Sequence, residues 1–236
     1  MEKIPKKEVK TMQFFFRVVL FVFFSAASLC CAITPEGFRE YEVKKGDTFS
    51  KIAPREHWDI IKQINRIDES HLIIGKKIFL PTDWELAKKF APVPKYLAQD
   101  DKWEKALFVF LDSQYFGAYE NGQLVFWGPI SSGSKEHTTP RGVFKVLWKT
   151  PFYRSKKYNA DMPFAVNISD GGIFLHQQAL PGRPASHGCV RLLESDAKKI
   201  FYWVKKNDPV ILAKQPRIFG AVFLCAFLAK KIKNTP

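Results

Sequence analysis

The stretch that says most about this chain is HQQALPGRPASHGCVR, residues 176–191. It combines a cysteine, Cys189, with two histidines, His176 and His187, and a glycine, Gly188, stands directly before the cysteine. A cysteine nucleophile needs a base to take its proton and donors for the oxyanion of acyl transfer. Because glycine lets a substrate approach the main chain closely, the amides of Gly188 and Cys189 could be those donors. The stretch therefore predicts cysteine-based acyl transfer, with one histidine lowering the pKa of the thiol.

Two other interpretations fit the same residues. Two histidines and a cysteine can ligate zinc, although zinc sites usually draw on closely spaced pairs of ligands, which this stretch lacks. A buried, inert thiol beside hydrogen-bonded histidines is the second alternative. The residue types alone leave both alternatives open.

The sequence around this stretch favours β-structure. The run LFVFL at 107–111 is continuously apolar, which is typical of a strand buried on both faces. Asn121 and Gly122 lie between two strand-like segments and predict a hairpin, because both turn positions need a positive φ. Further strands are predicted at 143–148, 164–168, 173–175 and 210–212, and a helix is predicted over 197–204. Residues 106–213 thus predict a mainly β domain with one helix near its end.

Residues 40–83 form a second, smaller predicted unit. It has a short strand at 41–43, a turn at 46–48 that caps a helix, a second helix at Trp58–Asn65 and a returning strand at Lys77–Pro81. Strand, helix, helix and strand within about forty residues is close to the lower size limit for independent folding.

This smaller unit resembles a LysM domain. The residues that carry the resemblance are Tyr41, Val43, Gly46, Asp47, Thr48, Ile52, Ala53, Asn65, Ile74, Gly75, Ile78, Leu80 and Pro81. The resemblance implies an α+β (βααβ) fold that binds N-acetylglucosamine-containing glycans, peptidoglycan among them, in a groove beside the turn after the first strand. A small structural domain that binds nothing is the alternative.

The segment SHGCVR at 186–191, with His176 upstream, resembles the active-site signature of the L,D-transpeptidase (YkuD-type) family. Further matches are Thr-Pro-x-Gly-x-Phe at 139–144, Met-Pro-Phe at 162–164 and Gly-Ile-x-Leu-His at 172–176. The resemblance covers residues 106–213. It implies a mainly β catalytic domain, a YkuD-type β-sandwich with one or two helices, one of them beside the cysteine.

The resemblance also implies catalytic roles. Cys189 is the nucleophile and His176 is its general base, with the main-chain oxygen of Gln177 orienting the imidazole. The amides of Gly188 and Cys189 form the oxyanion hole, and His187 shapes that hole or binds substrate. No cofactor and no metal are required.

Two further residues have implied roles at the substrate. Ser186 supports the loop that carries the nucleophile. Arg191 holds a substrate carboxylate or, alternatively, forms a structural salt bridge. The gap between His176 and Ser186 is shorter than in many members of the family, so the substrate-facing loop is abbreviated and the acceptor preference stays open.

The implied reaction is a two-step acyl transfer on peptidoglycan. The cysteine attacks the carbonyl of the third stem residue, usually diaminopimelate, and expels the terminal D-alanine. The amine of a neighbouring stem then resolves the thioester and forms a crosslink between two third-position residues. Water as the acceptor would give an L,D-carboxypeptidase, and a protein as the acceptor would be attached to the wall. A LysM wall-binding protein with an inactive catalytic domain is the alternative from another class.

The amino terminus predicts export. Lys3, Lys6, Lys7, Lys10 and Arg17 precede an apolar run at 18–33 that ends in small residues, the pattern of a secretory signal. The run is short for a spanning helix, which needs roughly 20 residues. Residues 1–33 are therefore expected to be a signal peptide or a membrane anchor, and the chain is expected in the periplasm or cell envelope, where it could be anchored to the inner membrane.

The remaining segments predict a linker at 84–105 and an apolar, basic tail at 214–236. The tail could be a membrane-surface helix, a helix packed on the domain or a loosely ordered end. The formal net charge of +14 suits anionic envelope polymers and lipids. No nucleic-acid-binding signature accompanies it, so no nucleic-acid partner is expected. Four cysteines, Cys30, Cys31, Cys189 and Cys225, are too few and too badly placed for a disulfide scaffold.

Overall fold

The computed structural model of the protein describes residues 37–97 and 103–215. The predicted signal segment, nearly all of the predicted tail, and Cys30, Cys31 and Cys225 lie outside the described residues. Within the described ranges, no helix combines the length and the apolar character needed to cross a membrane.

The smaller unit is a two-stranded antiparallel sheet with two helices. Its elements are β1 (Phe38–Glu42), α1 (Phe49–Ile52), α2 (Trp58–Asn65) and β2 (Lys77–Pro81). The order β, α, α, β and the bounds of α2 and β2 confirm the pattern predicted from the sequence. Its core is formed by Val43, Phe49, Ala53, Ile61, Ile67, Ile78 and Leu80.

A buried side chain fastens α2 to the sheet of this unit. Asn65 donates to the main-chain oxygens of Ile61 at 2.9 Å and Phe79 at 2.8 Å, and it accepts from the Phe79 amide at 2.7 Å. A buried amide group that meets all three partners stabilises the fold, whereas the loss of one partner would leave a buried polar group unpaired. This is the physical role of an asparagine at the end of α2.

A third helix, α3 (Trp84–Lys89), opens the segment predicted as a linker. The Asp83 side chain caps it by accepting from the amides of Glu85 and Leu86. The indole of Trp84 stacks on the ring of His57, with the centroids 3.9 Å apart. The start of this segment is therefore packed against the smaller unit.

The larger unit is built on one curled sheet, in which nine strands are described. They are β3 (Lys105–Phe110), β4 (Tyr115–Glu120), β5 (Gln123–Ser131), β6 (Gly142–Lys145), β7 (Trp148–Ser155), β8 (Ala160–Ser169), β9 (Ile173–Gln177), β10 (Val190–Leu192) and β11 (Pro209–Ala213). Their order is β6-β11-β3-β4-β5-β10-β9-β8-β7, and β11–β3 and β10–β9 are the parallel pairs. Helix α4 (Glu194–Trp203) follows β10 and packs on the core. The mainly β fold class is confirmed.

Two local predictions in this sheet are confirmed. Leu107 and Val109 of β3 face the main core, and Phe108 and Phe110 face a second apolar cluster, so the strand is buried on both sides. The turn between β4 and β5 has φ of 48° at Asn121 and 75° at Gly122.

Two strands had no clear sequence signal. β7 is an edge strand that is largely exposed on both faces, so its sequence does not alternate. β10 has only three residues, fewer than a periodic pattern needs.

Helix α4 carries a buried carboxyl group. Asp196 is 4% exposed, and its Oδ2 has no hydrogen-bond partner among the described residues. Burial raises its pKa to about 7, with Lys199 opposing the shift and Asp59 of α2 adding to it. Gln63 and Lys62 of α2 also act on this carboxyl group, so it lies where the larger unit meets the smaller one.

We expect Asp196→Asn to stabilise the protein at about pH 8 and to change little at about pH 4. The carboxyl ionises near 3.8 when unfolded and near 7 when folded, so ionisation of the unfolded chain removes stability as the pH rises through that window. One pKa unit corresponds to about 1.4 kcal/mol, so a rise of about three units gives an expected gain of about 4 kcal/mol at the higher pH. The measurement is the free energy of unfolding of the wild type and of Asp196→Asn in urea at both pH values.

The control for this prediction is Asp170→Asn, because Asp170 is exposed in the turn after β8. We expect its free energy of unfolding to follow that of the wild type at both pH values. A gain from Asp196→Asn that is equal at both pH values would contradict the prediction.

Candidate active site

The parallel pairing of β9 with β10 brings the two ends of the 176–191 stretch together. Leu175 lies opposite Val190, and His176 lies opposite Arg191. Side chains alternate along a strand, and Leu175 and Val190 are both fully buried in the main core. His176 and Arg191 therefore face the other side of the sheet. Cys189, the residue before β10, packs on that side.

A pocket opens on that side of the sheet, and its empty space is about 490 Å³ when the solvent at its open mouth is included. Five residues predicted from the sequence line it: His176, Ser186, His187, Cys189 and Arg191. The other lining residues are Ser155, Tyr158, Ala160, Met162, Gly172, Phe174 and Gln178. Most of these additional residues come from the β7–β8 hairpin and β9. Met162 and Gly172 belong to segments that match the family, whereas no periodic or motif signal in the sequence marks Ser155, Tyr158, Ala160 or Gln178 as site residues.

The imidazole of His176 is held in one orientation. Its Nδ1 lies 2.8 Å from the main-chain oxygen of Gln177, the contact that the family resemblance implies. A carbonyl oxygen only accepts, so Nδ1 carries the proton and Nε2 is left with its lone pair. Burial lowers the pKa of His176 to about 4, with the Gln177 hydrogen bond opposing the shift and the Arg191 charge adding to it. His176 is thus a neutral base near pH 7.

The thiol of Cys189 is desolvated by the residues around it. Burial raises its pKa above the ordinary value of 9.0, although the Phe174 amide and the charge of Arg191 oppose the shift. The sulfur donates to the main-chain oxygen of Gly172 at 3.7 Å. The predicted lowering of the thiol pKa is therefore wrong for the free protein, because desolvation outweighs the nearby positive charge.

Ser186 braces the loop that carries the cysteine. Its hydroxyl accepts from the Gly188 amide at 3.0 Å and donates to the main-chain oxygen of Cys189 at 2.5 Å. The hydrogen bond to Ser186 occupies the Gly188 amide, which is one of the two amides that the resemblance assigns to the oxyanion hole. An oxyanion hole that uses the Gly188 amide can form only when this hydrogen bond breaks. Gly188 has a φ of 115°, a conformation that favours glycine.

A threonine supports the same loop from outside the 176–191 stretch. The Thr139 hydroxyl donates to the main-chain oxygen of Gly188 at 2.9 Å and accepts from the Gly133 amide at 2.8 Å. Thr139 begins the Thr-Pro-x-Gly-x-Phe segment at 139–144, for which the family resemblance implies no role. Its role is to fix the position of the residue before the nucleophile.

His187 forms the outer wall of the pocket. It is exposed, and its ring contacts those of Tyr158 and His137, with centroid distances of 4.6 Å and 4.8 Å. Neither of these two ring contacts of His187 is with His176. The base and the wall residue are therefore different histidines, a distinction that the residue types alone had left open.

Arg191 presents its guanidinium to the pocket. None of the ion pairs formed within 37–97 and 103–215 includes it, so the structural salt bridge has no support there. Burial lowers its pKa, and the nearby thiol opposes that shift. A half-buried cation that lines a pocket can hold a carboxylate.

The zinc alternative finds no support in the geometry. In the part of the chain that the structure describes, no three His, Cys, Asp or Glu side chains are grouped so that they could hold a metal ion.

Comparison with known families agrees with the geometry. A model of the L,D-transpeptidase catalytic domain, YkuD, matches residues 104–212, and a model of the LysM domain matches residues 41–81. The chain joins a LysM domain to a YkuD-type L,D-transpeptidase domain. We call these the LysM domain and the catalytic domain.

Several known proteins are similar to this chain. Probable L,D-transpeptidase 3 of Mycobacterium tuberculosis (strain ATCC 25618 / H37Rv) is 32% identical over 101 residues, which cover 36% of this chain and 37% of that protein. Putative L,D-transpeptidase YqjB of Bacillus subtilis (strain 168) is 23% identical over 155 residues, covering 59% and 82%. A solved L,D-transpeptidase from Stackebrandtia nassauensis has 28% identity and a TM-score of 0.47, covering 57% and 65%. The chain thus spans little more than a third of the first relative.

Alkylation of Cys189 by iodoacetamide is expected to accelerate about tenfold per pH unit between about pH 6 and pH 8. The thiolate is the reactive form, and its fraction rises in this way below a raised pKa. A thiolate already paired with an imidazolium would instead react at a nearly constant rate. Peptide mapping by mass spectrometry distinguishes Cys189 from the other cysteines, and a flat profile would contradict the prediction.

Proposed function

We propose that this protein is a peptidoglycan L,D-transpeptidase that uses Cys189 as its nucleophile. The observation that carries the proposal is a single pocket that is lined by a free thiol, a neutral imidazole and a guanidinium. The substrate is a stem tetrapeptide, and the product is a crosslink between the third residues of two stems.

The first half of the reaction forms a thioester. Nε2 of His176 takes the proton of Cys189, and the sulfur attacks the carbonyl of the third stem residue. The bond to the terminal D-alanine breaks, and the proton on His176 passes to the leaving amine. Hydrogen bonds between a catalytic base and its nucleophile are often long in the free enzyme, so the thiol contact with Gly172 is compatible with this step.

The second half forms the crosslink. The amine of a neighbouring stem attacks the thioester, and His176 takes the proton that this amine loses. The new amide forms, the carbon–sulfur bond breaks, and the sulfur recovers its proton. Arg191 is suited to hold a substrate carboxylate throughout, because its guanidinium faces the pocket without a carboxylate partner in the described ranges.

The LysM domain would bring the enzyme to its polymeric substrate. Ile73 and Ile74 are 55% and 63% exposed, and the amide of the following Gly75 donates to the Val43 oxygen at the end of the first strand. Apolar side chains beside that turn are suited to the faces of sugar rings. Binding one part of the polymer raises the local concentration of stems at the catalytic pocket.

The proposal includes export to the cell envelope. Peptidoglycan lies outside the cytoplasmic membrane, and the basic, then apolar, start of the sequence supports a signal peptide or anchor. The excess of positive charge supports association with anionic wall polymers or membrane lipids.

The decisive experiment incubates the full chain with a disaccharide-tetrapeptide and measures product masses. Dimers that have lost one D-alanine support the proposed transpeptidase. Tripeptide as the only product would contradict the proposal and indicate an L,D-carboxypeptidase. Unchanged substrate, with retained binding to peptidoglycan, would indicate a wall-binding protein without activity.

A further inference from the structure

The loop between the base and the nucleophile contacts the LysM domain. We call residues 178–185 the connecting loop, since they join His176 on β9 to Ser186. Its ends are held by the catalytic domain: the Gln178 amide donates to the Leu192 oxygen, and the Ala185 amide donates to the Ser132 oxygen. The middle of the loop, at Leu180 and Pro181, is held by the LysM domain.

The LysM segment between α2 and β2, residues 66–76, supplies that support. Asp68 contacts Leu180 twice: its Oδ2 accepts from the Leu180 amide at 2.7 Å, and its own amide donates to the Leu180 oxygen at 3.1 Å. Ile67 forms a β-bridge with Pro181, and the Lys76 ammonium donates to the Pro181 oxygen at 3.0 Å. This set of contacts resembles a short strand pairing between the two domains.

The interface is closely packed. Ile67 and Leu180 are fully buried. At Gly182, where φ is 79°, an added Cβ would lie 2.8 Å from the Lys76 Nζ and 3.2 Å from the Ile67 Cγ2. A loop that is held in this way has little freedom to move relative to the LysM domain.

Asp68 is itself held in place. Its Oδ1 accepts from the amide and hydroxyl of Ser70 at 2.9 Å and 2.6 Å, and it lies 2.7 Å from Nδ1 of His71. Burial works against ionisation of Asp68, but the hydrogen bonds from Ser70, His71 and Leu180 lower its pKa overall. An ionised, fixed carboxylate is a strong acceptor for the loop amide.

We infer that Asp68 and Lys76 of the LysM domain are positioning residues of the transpeptidase site. They hold the connecting loop, and the loop holds His176 and the Ser186–Cys189 turn in register across β9 and β10. The LysM domain then contributes to turnover itself, in addition to binding the wall. This inference rests on the proposed function, because turnover is measured as transpeptidation.

The test compares two neighbouring lysines in the full chain. Lys76→Met removes the contact with Pro181, whereas Lys77→Met removes an exposed ion pair with Glu40. The substrate is a free stem tetrapeptide without sugar, so that LysM binding to glycan does not contribute. We expect Lys76→Met to lower kcat by about tenfold with KM within about twofold, because small displacements of catalytic groups slow the chemical step. Lys77→Met is expected to behave as the wild type.

A second variant and a second measurement separate positioning from stability. Asp68→Asn is expected to lower kcat in the same way, and the alkylation rate of Cys189 is expected to change in Asp68→Asn and Lys76→Met but not in Lys77→Met. Thermal unfolding shows whether Asp68→Asn and Lys76→Met fold. If one of them does not fold, the kcat and the alkylation rate of the other test the inference. Equal kcat and equal alkylation rates in Lys76→Met, Asp68→Asn and the wild type would overturn the inference. Because alkylation needs no substrate, it tests the inference even if the wild type forms no crosslinks.

Discussion

Replacing Cys189 by alanine is expected to abolish crosslinking, lowering the rate by about 10⁵-fold or more, as removal of a nucleophile does in other acyl-transfer enzymes. The thioester cannot form without the sulfur, and no second described cysteine is present to replace it. The measurement is the mass analysis of dimers formed from the disaccharide-tetrapeptide. The resemblance of the active-site segment to L,D-transpeptidases also leads us to expect that a carbapenem adds its mass to the wild type and not to Cys189→Ala.

The matched control for this variant is Cys225→Ala, which removes a thiol outside the 176–191 stretch. We expect it to keep full activity and to form the carbapenem adduct. Thermal unfolding shows whether the alanine at position 189 leaves the fold intact. Dimers formed by a folded Cys189→Ala protein would remove the assignment of the nucleophile.

His176→Gln is expected to lower kcat by about 10³-fold, the usual contribution of a positioned general base. Glutamine can still donate an N–H to the Gln177 oxygen, so the main-chain contact survives while proton transfer is lost. Initial rates with the free stem tetrapeptide measure the effect. His57→Gln is the control, because His57 belongs to the LysM domain, where its ring stacks on Trp84 of α3, and it does not line the pocket. A similar loss in both variants would argue against a catalytic role for His176.

Protonation of His176 is also expected to set the acid limb of the pH–activity profile. His176 must be neutral to accept a proton, and its pKa of about 4 predicts activity that is retained down to about pH 5 and lost near pH 4. An acid limb near pH 6.5 would mean that the imidazole is solvated rather than buried in the working enzyme.

The free energy of unfolding is also expected to depend on the titration of His176. The folded pKa of His176 lies below its unfolded value of 6.5, so the unfolded chain takes up the proton first as the pH falls. Stability is therefore complete above about pH 6.5 and is lost towards about pH 4, by about 3 kcal/mol. Denaturant unfolding of the wild type and His176→Gln across this window isolates the contribution.

Much of the architecture could be predicted because its causes are local. A positive φ at both turn positions favours Asn121 and Gly122, and a strand that is buried on both faces must be apolar throughout, as in β3. Helix α2 and strand β2 have their predicted bounds for similar reasons. The motif at 186–191 places the cysteine, the glycine and the serine within one short turn, so they had to be neighbours.

The chemistry of the site depended on burial and on distant segments, which no local pattern encodes. The thiol pKa is raised rather than lowered because the pocket desolvates Cys189 more strongly than Arg191 can compensate. The Gly188 amide donates to the Ser186 hydroxyl, and Tyr158 lines the pocket because the turn between β7 and β8 places it there. The contact of Asp68 with Leu180 joins residues 112 positions apart. The sequence alone therefore determines the candidate reacting groups and most of the secondary structure. Protonation states and the support of the connecting loop arise only when the folded chain excludes water and brings remote segments together.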